Sequence, residues 1–368
     1  MQISPLSSKG IDFCRTILCM QIVFFHMATT APIAQEDLAD GTIYGYIIKF
    51  ITMMNNLAVP MFYAISGYLF ALSYQPTWQN YTQQVQKRVV RLIQPILIWT
   101  SLFLLLYYIA QSTPSTAHLF SGANKLIADY DWTDVLDAYA GIKSGFPFAG
   151  QYWFLRNLFV MCLAFPVIAW LFKHARFAGF ISLCIGCYAL RFFNQFIADT
   201  ILFFCVGAYL ATNDRIITYI AAKKATIFAS LFAVFTIIAF VGHIVASLGW
   251  LYQSVFYFFA LTGLITIGKV VLHSLSKGIG NKVLLLSGGS FFIFLIHLQL
   301  LMFLKRAAYK VLHVDSAPEV LVLFFIVPVI IIILSYLLYF GLKKWMPGLL
   351  GVVTGKIGIF SALSKKTK

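Results

Sequence analysis

Of the 368 residues in this chain, 61% are hydrophobic and only 11% are charged, whereas a soluble globular domain carries about 25% charged residues. This composition excludes an ordinary soluble domain and predicts a polytopic membrane protein. The formal net charge of +15 would suggest nucleic acid as the partner of a soluble chain. Here the basic residues lie between hydrophobic runs, where they set membrane orientation, so we expect membrane lipids and no nucleic acid as partners.

The hydrophobic runs predict an all-α bundle of about ten transmembrane helices, because about 20 apolar residues are needed to cross a bilayer. The predicted spans are 12–31, 44–73, 90–110, 151–172, 178–194, 198–212, 224–242, 249–268, 283–304 and 320–342. With a cytoplasmic N-terminus, most Lys and Arg lie inside and most Asp and Glu lie outside, as the positive-inside rule requires. Ten spans place both termini in the cytoplasm. We expect a transmembrane domain over 1–345 and a basic cytoplasmic tail over 346–368.

Two ionisable residues lie inside the first hydrophobic run, which we interpret as a retained span rather than a signal peptide. Arg15 and His26 are eleven positions apart, almost three helical turns, so both project from one face about 16 Å apart along the axis. Asp12, Cys19 and Ile22 occupy the same stripe. Each ionisable group in a spanning helix costs roughly 2.5–3.5 kcal/mol on insertion scales, so such groups usually mark function. The alternative is that Arg15 snorkels at the cytoplasmic edge while His26 bonds to a neighbouring helix.

The second and third spans add a break and a basic cluster. Pro60 interrupts the hydrogen bonding of the second span, and Ser66-Gly67 allows close helix approach. This stretch either packs or forms a cavity wall against which a substrate lies. Arg88 and Arg91 are three positions apart on one helix face at the predicted cytoplasmic side. Two guanidinium groups can hold a phosphate bidentately, and they are also common as positive-inside anchors.

The outer ends of two later spans carry the remaining candidates. Trp153, Arg156 and Asn157 begin the fourth span after the largest external loop. An aromatic ring beside hydrogen-bonding groups suits a sugar, although Trp at an interface more often belongs to the aromatic belt. His297 lies in the outer half of the ninth span, at a depth comparable to that of His26. Two such histidines can form an acid–base pair, or one can orient the other, or each can satisfy an interhelical hydrogen bond.

Two further patterns, one of basic residues and one of cysteines, require separate interpretation. Lys305, Arg306 and Lys310 fall on the predicted outer side against the positive-inside rule, so they either bind an acidic ligand or show that the ninth span is misplaced. Cys184 and Cys187 have redox-pair spacing, but their apolar context favours neither redox chemistry nor metal binding. No cluster has metal-ligand spacing, so we expect no metal and no tightly bound cofactor.

Together these motifs resemble the acyltransferase-3 family of integral membrane O-acyltransferases, which acylate cell-surface glycans. The matching stretches occur in the family's order over nearly the whole chain, and the spacing of the first arginine and histidine is the most specific of them. They are Asp12…Arg15 with His26; Val59-Pro-Met-Phe-Tyr-Ala-Ile-Ser-Gly-Tyr-Leu69; Lys87-Arg-Val-Val-Arg91 with Pro95; Tyr152-Trp-Phe-Leu155; Phe203-Phe-Cys-Val-Gly-Ala-Tyr-Leu210; and Phe294-Leu-Ile-His297.

The resemblance implies an acyl-CoA-dependent enzyme of the bacterial cytoplasmic (inner) membrane. Arg15, Arg88 and Arg91 would hold the phosphates of a cytoplasmic acyl-CoA, usually acetyl-CoA, as the donor substrate. The pantetheine arm would then carry the thioester toward His26. This histidine would act as a general base on an acceptor hydroxyl or as a nucleophile that briefly holds the acyl group.

The implied acceptor is a sugar hydroxyl of a lipid-linked or exported surface polysaccharide. The residues expected on its side are His297 as a second catalytic residue and Ser66, Trp153, Arg156 and Asn157 as binding residues. The competing interpretation is a transporter or flippase of a lipid-linked saccharide, in which the same arginines and histidines line a path without acyl transfer. Whether the acyl group is acetyl or longer, and whether the chain forms oligomers, stays open at this stage.

Overall fold

The computed structural model describes residues 5–30, 34–117, 120, 125–278 and 280–359, and within these ranges it contains helices and no strands. The α-helices are α1 (Pro5–Thr29), α2 (Ile43–Asn55), α3 (Ala58–Ser73), α4 (Trp78–Arg88), α5 (Gln94–Ser112), α6 (Pro114–Ala117), α7 (Trp132–Ala140), α8 (Trp153–His174), α9 (Arg176–Arg191), α10 (Gln195–Ala211), α11 (Asp214–Ala222), α12 (Ala225–Ile244), α13 (Gly249–Ser276), α14 (Asn281–Leu284), α15 (Ser290–Leu312), α16 (Ala317–Trp345) and α17 (Pro347–Val353). A π-helical turn, Val89–Ile93, joins α4 to α5. The predicted all-α polytopic bundle is confirmed.

The number of spans is eight by length and composition among the described helices, or nine if the bent pair α10–α11 counts as one. The prediction was about ten, and the difference from this count lies in the fifth and sixth predicted spans. Helix α9 has 16 residues, about 24 Å against a hydrocarbon core of about 30 Å, and α10 bends by 91° into α11. Arg191 at the end of α9 forms an ion pair with Asp199 in α10, so a buried polar junction joins these two helices.

Helix α1 occupies a central place in the bundle, in contact with α2, α3, α13, α15 and α16. Its residues Leu18, Val23 and Met27 are fully buried. The Cys19 thiol donates to the carbonyl oxygen of Ser290 at 2.9 Å, which joins α1 to the first residue of α15. The helix that carries the predicted arginine and histidine is therefore enclosed by other helices.

Two glycines bring α3 and α10 into backbone contact. A Cβ on Gly67 would lie 2.0 Å from the carbonyl oxygen of Phe204, and a Cβ on Gly207 would lie 1.9 Å from that of Ala64. Small residues allow such approach between membrane helices, where association depends on close packing. The close helix approach predicted at Ser66-Gly67 is found here, with α10 as the partner.

The segment after Trp345 folds back onto the start of α5. The Gln94 side-chain amide nitrogen donates to the carbonyl oxygens of Val352 and Ile357, at 2.8 and 2.9 Å. The Trp99 indole nitrogen donates to Val353 O at 3.0 Å. Within the predicted tail, residues 346–359 therefore pack into the bundle, and residues 360–368 lie outside the described ranges.

We expect Gly67→Ala to lower the thermal unfolding temperature of the purified protein in detergent, because the added methyl group meets the backbone of Phe204. Overpacking typically costs about 1–3 kcal/mol. Gly186→Ala is the matched control, since a Cβ at this α9 position meets nothing within 4 Å and alanine gains about 1 kcal/mol in helix propensity. An unfolding temperature for Gly67→Ala as high as that of the control would contradict the backbone contact.

Candidate active site

A cavity of about 900 Å³ opens between α1, α3, α8, α15 and the junction of α4 with α5. We call it the basic cavity, because its charged lining residues are the cations Arg15, Lys87, Arg88, Arg91 and Lys356 and the acid Asp12. Ser66 of α3 also lines it. The structure thus brings together four residues that the sequence analysis selected at separate places in the chain, namely Arg15, Ser66, Arg88 and Arg91. Their binding roles stay predictions.

The π-helical turn between α4 and α5 carries Arg91, and Arg88 directly precedes it. Pro95 has no N–H to donate to the carbonyl oxygen of Arg91, the α-helical partner four residues earlier. The turn instead closes with the Gln94 N–H bonded to Val89 O, a wider loop than an α-helix makes. Such turns occur mostly as single insertions in α-helices, frequently at functional sites. Arg91 in this turn and Arg88 at the end of α4 both line the basic cavity, and the Arg88 guanidinium also lies 5.3 Å from the centre of the Phe70 ring.

The charge of the basic cavity is unbalanced. Five cationic side chains and one carboxylate among the described residues line the same space. Like charges repel one another more strongly as the surrounding dielectric falls, and the other lining residues include the apolar side chains of Phe62, Leu158 and Phe291. An anion with several negative charges would relieve this repulsion.

The two predicted histidines lie side by side. The ring centroids of His26 on α1 and His297 on α15 are 5.3 Å apart. His297 is fully buried, and its Nδ1 lies 3.1 and 2.9 Å from the carbonyl oxygens of Ile293 and Phe294. Because carbonyl oxygens only accept, Nδ1 carries the proton in neutral His297. Its Nε2 has no hydrogen-bond partner in the described part of the chain and can accept one.

The histidine pair lies beyond one end of the basic cavity. Phe294 lines the cavity, and its ring centroid lies 5.9 Å from that of His297. Arg15 and His26 both belong to α1, so they are roughly 16 Å apart along its axis. The Phe294 ring therefore lies both at the wall of the basic cavity and beside His297.

Residues 151 and 152, which directly precede α8, bind the helix that carries His297. The Tyr152 hydroxyl donates to Leu295 O at 2.7 Å, and the Gln151 amide donates to the same oxygen at 3.0 Å and to Gln299 Oε1 at 3.1 Å. Tyr152 is completely buried, so it is not part of an aromatic belt. These bonds join α8 to α15 at the level of the histidine pair.

Three of the residues predicted for the acceptor, Trp153, Arg156 and Asn157, do not line the basic cavity. Arg156 donates through Nη1 to the carbonyl oxygens of Ala140 and Gly141 at 2.6 and 2.9 Å, and through Nε to Asn157 Oδ1 at 3.0 Å. It therefore holds the end of α7, where Gly141 adopts a left-handed conformation with φ of +60°. The Trp153 ring packs against the ring of Phe196, with 5.1 Å between the two ring centroids. Acceptor binding by these residues stays a prediction.

Lys305, which breaks the positive-inside pattern, is buried rather than exposed to an external ligand. Only 1% of its surface is accessible, and Nζ donates to Met27 O at 2.9 Å and to Thr30 Oγ1 at 3.0 Å. A cation at a helix C-terminus complements its partial negative charge and its unpaired carbonyl groups. Lys305 of α15 thus binds the end of α1 immediately after His26.

The sequence analysis did not predict that Gly355 and Lys356 line the cavity. A glycine and a lysine after an apolar helix are also found in an ordinary basic tail, so the pattern carried no signal. It also gave no site role to Lys87. Among the described residues, no group of three or more His, Cys, Asp or Glu side chains could hold a metal ion.

A bundle of apolar helices that encloses an arginine-rich cavity and a pair of neighbouring histidines defines a multi-pass membrane protein. The model of the acyltransferase-3 family, described as an acyltransferase domain, matches residues 8–353. The chain therefore belongs to the acyltransferase-3 family, and it is a multi-pass membrane acyltransferase. No curated protein and no solved structure matches it.

We expect Lys305→Met to lower the thermal unfolding temperature, because methionine fills a similar volume but leaves Met27 O and the Thr30 hydroxyl without their donor. A buried group that loses its partner costs about 1–3 kcal/mol. Lys310→Met is the matched control, since Lys310 is an exposed residue of the same helix. Equal unfolding temperatures for the two variants would show that the Lys305 contact does not stabilise the end of α1.

Proposed function

We propose that this acyltransferase moves an acyl group, most simply acetyl, from cytoplasmic acyl-CoA to a sugar hydroxyl of a lipid-linked or exported surface polysaccharide. We also propose that it does so in the bacterial cytoplasmic membrane. The observation that carries the proposal is the basic cavity, with Arg15, Arg88 and Arg91 at its wall and the His26–His297 pair beyond its end. Family membership supports the reaction class.

The donor assignment rests on charge and length. Coenzyme A joins a nucleotide with three phosphate groups to a long, narrow pantetheine arm that ends in the thioester. Guanidinium groups bind phosphate through paired, charge-assisted hydrogen bonds, and three arginines line the cavity. The spacing of roughly 16 Å between Arg15 and His26 suits an arm that must separate the phosphates from the reacting carbonyl.

The histidine pair supplies a base for the acceptor. In our proposal His297 accepts a hydrogen bond through Nε2 from one ring N–H of His26, which leaves a lone pair on the other nitrogen of His26. That lone pair takes the proton of the sugar hydroxyl while the hydroxyl oxygen attacks the thioester carbonyl. The tetrahedral intermediate expels the CoA thiolate, which receives the proton from His26, and the sugar ester forms.

A covalent route uses the same residues in another order. The lone pair of His26 attacks the thioester carbonyl, the CoA thiolate leaves, and the sugar hydroxyl then displaces the imidazole from the acyl group. The hydroxyl proton goes to the thiolate. Both routes use His26 as the reacting residue and His297 as the residue that orients it.

The fate of the acyl group distinguishes the proposed acyl transfer from the competing transporter or flippase hypothesis. Full-length protein in lipid nanodiscs would be mixed with radiolabelled acetyl-CoA and surface polysaccharide, or its lipid-linked precursor, from the host. We expect label to move into an alkali-labile ester on the saccharide, with free CoA released in equal amount. Label that stays on CoA, with every saccharide unchanged in mass, would reject the proposed reaction.

We expect Arg88→Ala to raise the KM for acetyl-CoA by roughly ten- to a hundredfold at unchanged membrane abundance. A hydrogen bond to a charged group contributes about 1.5–3 kcal/mol, and about 1.4 kcal/mol corresponds to a factor of ten. Arg215→Ala is the matched control, because Arg215 is an exposed arginine of α11 away from the basic cavity. A KM in Arg88→Ala equal to that of the control would remove Arg88 from the donor site.

A further inference from the structure

The chain that follows α17 forms one wall of the basic cavity. Gly355 and Lys356 line the cavity together with Arg91. Both residues follow the part of the chain that the family model matches, which ends at 353. The wall is therefore a feature of this chain that family membership does not assign.

A buried side chain holds this wall in place. Both ends of the Gln94 amide are used: the nitrogen donates to Val352 O and Ile357 O, and the oxygen accepts from Ile359 N at 3.1 Å. These contacts lie on both sides of residues 354–356. Because Gln94 directly follows the π-helical turn, the same residue fixes the wall relative to Arg91.

Gly355 fits this place because it lacks a side chain. Its φ is +62°, and a Cβ would lie 2.2 Å from Val90 O and 2.9 Å from the Cα of Arg91. Residues other than glycine rarely adopt this conformation, and here no space is left for them. The backbone of Gly355 therefore touches the turn that carries Arg91, which places Lys356 next to the arginines.

The surroundings of Lys356 hold positive charge without a matching acid. Burial, and then the nearby charges of Arg91 and Lys343, lower the pKa of Lys356 below its usual value. The one acidic residue among the described lining residues is Asp12. A phosphate group bound here would attract Lys356 and offset its repulsion from Arg91 and Lys343.

We propose that Lys356 is a phosphate-binding residue of the donor site and that the segment 354–359 is a built wall of that site. The inference rests on the proposed function, since it assigns Lys356 to the phosphates of acyl-CoA. Lysine offers a compact point charge on a flexible stem, which complements the planar, bidentate arginines. A phosphate could also come from a lipid headgroup of the inner leaflet, so the test separates these two sources.

The test is equilibrium binding of CoA to full-length protein in nanodiscs, measured by calorimetry at one fixed salt concentration. We expect Lys356→Ala to raise the Kd for CoA roughly tenfold, and Lys356→Arg to stay within about threefold of wild type, because one charge-assisted contact to phosphate is lost in the first and kept in the second. Lys224→Ala, at an exposed lysine outside the cavity, is the control. Equal Kd values for Lys356→Ala and Lys224→Ala would overturn the proposal.

Lipid composition distinguishes the two phosphate sources. In discs of phosphatidylcholine alone, the tenfold effect of Lys356→Ala must persist if the residue binds the donor. An effect that appears only when phosphatidylglycerol is added would assign Lys356 to lipid and overturn the proposal. Wild-type protein that fails to bind CoA in either disc would instead reject the proposed function, so the two failures are distinguishable.

A second variant tests the wall while Lys356 is retained. Gly355→Ala is expected to raise the Kd for CoA at least as much as Lys356→Ala, because the clash with Val90 O displaces the segment. Gly348→Ala, at an α17 position with nothing within 4 Å of a Cβ, is the matched control. A Kd for Gly355→Ala equal to that of this control would show that the wall does not depend on the glycine contact.

Discussion

A charge inside a membrane bundle is costly unless polar groups or a ligand match it, and this protein matches some of its buried charges but not all of them. Two buried charges are matched by the protein itself: Lys305 binds the end of α1, and Arg191 pairs with Asp199. In the basic cavity, five cations and one carboxylate are the charged groups among the lining residues that the structure describes. Because this positive charge is not matched by the described lining residues, we propose the cavity as the binding site of an anionic donor.

One helix carries both the proposed anchor of the donor and the proposed reacting group. Arg15 and His26 both belong to α1, so their separation depends on helix geometry and not on loops. The side chains of Cys19 and Lys305 join α1 to α15 near each end of this interval. Because α15 also carries His297, the same contacts that enclose α1 keep the two histidines together.

Much of this arrangement is predictable from the sequence, because helical periodicity decides which residues share a face. The spacing of Arg15 and His26 predicts that both project from one helix face. The similar depth of His26 and His297 in their predicted spans is consistent with the pair that the structure shows. Contacts between distant segments follow from packing, which periodicity does not encode. The wall around Lys356 is held by hydrogen bonds from Gln94, which is distant in the sequence. The sequence likewise did not predict that Arg156 donates to the carbonyl oxygens of Ala140 and Gly141. The excess of predicted spans arose because hydropathy measures apolar content and not the length of a straight helix.

The most direct test of the central claim is the mass of the host's surface polysaccharide with wild-type protein, His26→Ala and His273→Ala, each at equal membrane abundance. His273 is an exposed residue of α13 and serves as the control. General base catalysis contributes about 10²–10⁴-fold, so we expect the acyl mass increment to disappear in His26→Ala and to persist in His273→Ala. The size of the increment identifies the acyl group. An increment that survives in His26→Ala would contradict acyl transfer at this histidine.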